Sequence, residues 1–262
     1  MAHALHDITV TTRIDEASPA LKGVLGIPSG TGPWPAVVVV HEAFGVDDEM
    51  RKQVAHLADL GYLALMPDLF TAGGVRRCIG ATFRSLRSGT GRAFADIEAA
   101  RQLLLARDDS NGAVGVIGFC MGGGFALLAA ARGYDGGATG FAAASVNYGI
   151  MPKDLGLIEH SCPVVASYGA QDFSLRGAAA KLEKTYTTNG VAHDVKEYPG
   201  AAHAFLNELP TGPGWMRPML RITGFGPRPD VAVDAWKRIT AFFDEHLVAP
   251  APTKPAKGSA PA

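Results

Sequence analysis

Along the first third of the chain, unbroken apolar runs alternate with segments whose apolar residues recur every three or four positions. Residues 36–40, Ala-Val-Val-Val-Val, contain no polar break, which is the signature of a strand buried on both faces. Residues 50–60 then space Val54, Leu57 and Ala58 as a helix does, and stop at Gly61. The run 62–66 reads as the next strand, closed by Pro67 and Asp68. Residues 93–106 form a long helical pattern with Ile97, Ala100 and Leu104 along one face. A strand at 114–119 runs into an Ala/Leu-rich helix at 122–131. Further strands are expected at 141–147, 163–168 and 194–198, with helices at 175–189 and 231–247. The first twenty residues supply one or two edge strands. Regular alternation of this kind predicts an α/β fold with a mostly parallel sheet and helices on both faces.

The pattern gives no repeat and no linker, so residues 1–248 are expected to form a single domain. Two stretches depart from it. Residues 209–230 hold five prolines and four glycines, with Trp215, Met216, Met219, Leu220 and Phe225 among them. An inserted loop of that length needs a job, either as a lid or rim over a pocket or as a subunit contact. Residues 249–262 are Pro/Ala-rich, lack any core-forming side chain and are expected to be a disordered tail.

Composition narrows the function classes. With 47% hydrophobic and 19% charged residues, the 262-residue chain has material for a large core. Its formal net charge of −1 offers no basis for binding nucleic acid or a membrane surface. Three cysteines, Cys78, Cys120 and Cys162, do not make a disulfide framework and match no zinc spacing, which points to a reducing compartment. The first twelve residues lack the apolar block of a signal peptide, and no early apolar run could span a bilayer. A soluble cytoplasmic monomer or small homo-oligomer is expected.

The strongest chemical signal is Gly118-Phe119-Cys120-Met121-Gly122-Gly123, lying between a strand and a helix. This is the nucleophile-elbow pattern with cysteine in the usual place of serine. Gly118 and Gly122 are the small flanking residues that the sharp turn needs, and the helix N-terminus favours thiolate over thiol. The plain alternative is a buried structural cysteine. An elbow nucleophile needs an acid and a base after it in the order Asp/Glu, then His. Asp172 follows the 163–168 strand and His203 follows the last strand, so the order holds. Asp172 alone would also suit a helix N-cap or a turn. After the 36–40 strand comes His41-Glu42-Ala43-Phe44-Gly45, in the loop that supplies a second oxyanion amide in such folds. The amides of Ala43 and Met121 are the candidate oxyanion hole.

Taken together, these residues and Gly200-Ala-Ala-His203-Ala-Phe205 resemble the dienelactone hydrolase (carboxymethylenebutenolidase) family of α/β-hydrolases, over about residues 20–208 and again at the final helix. The resemblance implies a Cys120–His203–Asp172 triad and an ester or lactone substrate bearing a carboxylate. It implies no cofactor or metal, and a Glu42 that contacts the resting thiol and helps activate it when substrate arrives. Substrate contacts are expected from Phe44, Arg84, Tyr148 and Asn207. Asn207 stands where the family has an arginine, and Arg84, Arg87 and Arg92 compete for the place of a second one. Acyl transfer, or ligand binding without catalysis, is the alternative on the same scaffold.

Overall fold

The computed structural model describes residues 4–133, 140–210, 214 and 225–248. The expectations for most of the 209–230 loop and for the 249–262 tail therefore fall outside the described residues. An eight-stranded sheet runs in the order β1-β2-β4-β3-β5-β6-β7-β8. Its strands are β1 (Ala4–Val10), β2 (Leu21–Ile27), β3 (Trp34–Val40), β4 (Leu63–Pro67), β5 (Ser110–Phe119), β6 (Ala144–Asn147), β7 (Val164–Gly169) and β8 (His193–Tyr198). From β4 through β8 every pairing is parallel, while β1–β2 and β2–β4 are antiparallel. The mostly parallel α/β-hydrolase sheet expected from the sequence is thus the one observed.

Val37 to Val40 and Leu63 to Met66 are completely buried at every position. Successive strand residues point to opposite faces, so burial of all of them means that both faces of the sheet are covered. Each such side chain contributes roughly 1.5–3 kcal/mol of hydrophobic stabilisation. The cover comes from α1 (Asp48–Asp59), α2 (Val75–Ser88), α3 (Arg92–Ala106), α4 (Met121–Ala131), α5 (Ala178–Asn189) and α6 (Pro229–Phe243). The α1 helix starts where the Asp47 side chain accepts the Met50 N–H, and it gives way to Gly61, which carries a positive φ.

Two sequence expectations are refined. The 175–189 helix is a short 3-10 turn, Phe173–Leu175, followed by α5 from Ala178, because Gly177 takes a left-handed conformation between them. The α2 helix was not anticipated. Its Val75, Ile79 and Leu86 do fall at helical spacing, but four arginines and bounding glycines Gly74 and Gly89 obscure that pattern.

Arg238 on α6 fixes the strands that carry the site. It bonds Asp194 at 2.9 Å, Ser167 Oγ at 3.2 Å and the Tyr198 hydroxyl at 3.1 Å, tying the helix to β7 and β8.

Candidate active site

Chain direction places the carboxyl ends of β3, β5, β7 and β8 along one edge, and each delivers one piece of the site. Cys120 leaves β5 with φ 56 and ψ −116 and opens α4. That backbone is costly for any residue with a side chain, and it turns the thiol out at the helix N-terminus. The flanking glycines are sterically required. A Cβ on Gly118 would strike the Gly122 carbonyl, and one on Gly122 would strike the carbonyls of Val40 and His41. Cys120 keeps partial exposure, whereas Cys162 is buried and its thiol is pushed far up by desolvation.

Asp172 and His203 meet this sulfur from β7 and β8. His203 Nδ1 lies 2.5 Å from Asp172 Oδ2, and the imidazole stands beside the Cys120 thiol. Burial alone would lower the His203 pKa, but the bond to Asp172 and the neighbouring Cys120 outweigh it and hold the imidazole up at about 10. Burial likewise works against an ionised Asp172, yet the bonds from His203 and Ser174 keep its carboxyl below the usual range. The other Asp172 oxygen accepts Ser174 N–H at 3.0 Å and Ser174 Oγ–H at 2.6 Å, capping the 3-10 turn. Asp172 therefore caps this turn and bonds His203 at once.

On the opposite side stands Glu42, 4% exposed. Asn207 Nδ2 approaches its two oxygens at 3.2 and 3.3 Å, with Tyr148 close by. Desolvation raises the Glu42 pKa to about 7, against the pull of His203 and Asn207. The expected contact of Glu42 with the resting thiol is replaced. Among the described residues, Asn207 takes up the carboxylate, and His203 is the base beside the sulfur. Tyr148 in turn donates to Asn207 Oδ1 at 3.2 Å and packs its ring 5.0 Å from that of His203.

Ala43 and Phe44 are half-buried in the loop after β3, and Met121 is buried at the start of α4. The Met121 N–H is one of the first-turn amides that have no intrahelical acceptor. Arg84 is not brought to this group. It lies exposed on α2, lining a cavity of about 600 Å³ with Arg77 and Arg92.

Three non-glycine residues among those described have positive φ: Cys120, Tyr148 and Ala204. All belong to the site, two being neighbours of the reactive side chains, which is where stored backbone strain is usually found. The sequence reading missed His41 and Glu49. Glu49 is buried on α1 and accepts the N–H groups of Glu208 and Leu209, fixing the segment that bears Asn207. The only sequence hint was a carboxylate on the inner face of an amphipathic helix.

Comparison with known proteins gives the family. The model of the dienelactone hydrolase family matches residues 21–247. The carboxymethylenebutenolidase of Rhodococcus opacus is 30% identical over 227 residues, covering 84% of this chain and 84% of that protein. The Pseudomonas putida carboxymethylenebutenolidase is 29% identical over 200 residues, covering 72% and 82%. The crystal structure of a dienelactone hydrolase-like promiscuous phosphotriesterase from metagenomic libraries shares the fold with a TM-score of 0.72. It covers 94% of this chain and 99% of that one at 22% identity. On a family match that spans nearly the whole described sheet, this chain belongs to the dienelactone hydrolase family of α/β-hydrolases.

Proposed function

We propose that the protein hydrolyses a small ester or lactone, of the carboxymethylenebutenolide type, through a thioester on Cys120. The observation that carries this reading is the Asp172–His203 hydrogen bond beside a Cys120 sulfur held at a strained strand-to-helix turn.

Asp172 fixes His203 with one nitrogen toward the carboxylate and the other toward sulfur, so that thiolate and imidazolium form a pair. The thiolate adds to the carbonyl carbon, and the oxyanion settles on the amides of Ala43 and Met121, a contribution of roughly 3 kcal/mol per donor. The C–O bond then breaks, and the departing enolate or alkoxide takes the proton of the imidazolium. His203, now neutral, removes a proton from water, and the resulting hydroxide cleaves the thioester. Product acid leaves, and Cys120 and His203 regain the ion pair. An enolate leaves more readily than an alkoxide, which suits a sulfur nucleophile that is itself easily expelled. These steps call on no metal or organic cofactor.

Glu42 governs thiol reactivity in this scheme. An ionised carboxylate next to a forming thiolate would oppose it by like-charge repulsion. Asn207, braced by Tyr148, holds Glu42 aside and so keeps that repulsion from the thiolate. Tyr148, Phe44 and Asn207 are placed to contact substrate; because Asn207 is neutral, it would hold a substrate carboxylate less strongly than an arginine would.

Cys120→Ala tests the whole reading. Turnover of activated esters and of dienelactones should vanish, while thermal unfolding shows an intact fold. Full residual activity would overturn it.

A further inference from the structure

His41 takes no part in the chemistry above, yet its imidazole is fully buried at the exit of β3. Both ring nitrogens are engaged by backbone. The Leu69 amide lies 3.1 Å from Nε2, and the Glu42 carbonyl lies 2.7 Å from Nδ1. An amide N–H can only donate, so Nε2 must accept, and the single ring proton sits on Nδ1 and is given to the Glu42 carbonyl. The tautomer is thereby fixed by geometry. Phe70 packs 5.0 Å from the ring, closing the niche from the side of the β4 exit. Desolvation lowers the His41 pKa, which keeps the ring neutral; a second ring proton would face the Leu69 N–H.

The peptide that receives this bond is the one that matters for the reaction. The Glu42–Ala43 bond is trans and planar, so its carbonyl and the Ala43 N–H point in opposite directions. Holding the carbonyl on His41 aims the Ala43 amide the other way. The Gly45 N–H adds a second bond to the same carbonyl at 3.1 Å, and the Ala43 N–H has no acceptor among the described residues. We infer that His41 is the positioning residue of the oxyanion hole: its Nδ1–H locks the Glu42–Ala43 peptide so that the Ala43 amide is presented to the carbonyl under attack. Buttressing from Leu69 makes the β4 exit part of the same device. The inference rests on the oxyanion assignment proposed above.

The test separates oxyanion formation from thiol activation. Carbonyl attack needs the hole, whereas alkylation of Cys120 by iodoacetamide displaces iodide at a saturated carbon and develops no oxyanion. In His41→Ala, kcat for an activated ester should fall by about tenfold to a hundredfold, with KM within about twofold; full removal of an oxyanion donor costs about 10² to 10³. The rate and pH profile of Cys120 alkylation should stay as in the wild type. His41→Asn, whose amide both donates and accepts, should recover part of kcat, and it carries the test if the alanine variant does not fold. Nitrogen-15 spectra of the wild type should show a neutral Nδ1–H ring that does not titrate between pH 6 and 8. Wild-type turnover in His41→Ala, a parallel loss of alkylation, an asparagine variant no better than alanine, or a ring that titrates in that range would each overturn the proposal. If Cys120→Ala stays active, the thioester mechanism itself fails, whatever the His41 variants do.

Discussion

Two buried carboxylates act on the same imidazole, and they are held in opposite ways. Asp172 faces an imidazole and a serine, and its partners keep it ionised in spite of burial. Glu42 is hydrogen-bonded by the neutral Asn207 amide and feels His203 only through space, with Asp47 and Glu49 adding negative potential, and burial pushes its pKa to about 7. Both are buried and both feel His203; the direct hydrogen bond to that ring, which Asp172 alone has, decides. One arm serves as a permanent anion that orients the base. The other sits near its titration point, where a small change in surroundings alters its charge.

Breaking the charged arm should have the largest effect. Asp172→Asn keeps size and shape but takes away the anion that supports imidazolium and tautomer. A drop in kcat of about 10⁴ is expected on the precedent of serine triads. Stability should fall as well. The folded pKa of Asp172 is depressed, so its contribution is present at neutral pH and fades only as acid protonates the carboxylate. Steady-state kinetics and urea unfolding at pH 7 check both, and a variant within tenfold of wild type would erase the distinction between the arms.

The neutral arm should respond with the opposite sign. Glu42 has a raised folded pKa, about 7 against an ordinary 4.5. Between those values the unfolded chain has released the proton and the folded chain still holds it, so stability falls as pH rises through this window. Glu42→Gln removes that titration. The variant should be more stable than wild type by about 2 kcal/mol at pH 8, with the difference disappearing near pH 5. Urea unfolding at the two pH values decides, and an equal difference at both would mean that Glu42 ionises freely.

The two arms also differed in how far they could be read from sequence. The Asp172 arm was legible because its geometry follows from chain order: a small-residue elbow after one strand, then an acid and a histidine after two later strands. Steric rules at Gly118 and Gly122 leave little freedom there. The Glu42 arm was only half legible. That Glu42 sits at a strand exit could be read, but its partner Asn207 and the Tyr148 that braces it lie 165 and 106 positions away in the chain. Their approach depends on Glu49 gripping the backbone at 208–209, and on a left-handed Tyr148 that no local pattern announces. His41 escaped notice for a similar reason, since its importance lies in which backbone groups face it. Arg84 was misplaced because the stretch that forms α2 had been given no element, so its direction from the helix could not be judged.

Asn207 is where the neutral arm can be sharpened. Asn207→Leu strips both N–H contacts from the Glu42 carboxylate and the acceptor from Tyr148. A loss of about 1.5 kcal/mol is expected at pH 8, in line with unsatisfied buried polar groups. The variant should push the Glu42 titration to still higher pH. In the Glu42→Gln background the same substitution should cost less, because no buried anion is left waiting. A double-mutant cycle measures that coupling, and strictly additive effects would show that Asn207 does not support Glu42.

The smallest effect is expected on the charged arm, where the partners of Asp172 are unequal. Ser174 Oγ–H gives Asp172 Oδ1 a bond of 2.6 Å, yet the same oxygen also holds the Ser174 backbone N–H, and Oδ2 remains on His203. Ser174→Ala therefore removes one of three donors and leaves the imidazole in place. Stability should drop by about 1 kcal/mol, and kcat by less than tenfold, with KM unchanged. If the serine hydroxyl were what keeps Asp172 ionised, its loss would approach that of Asp172→Asn. A modest effect would instead assign the charge of that arm to the imidazole, as the contrast with Glu42 requires.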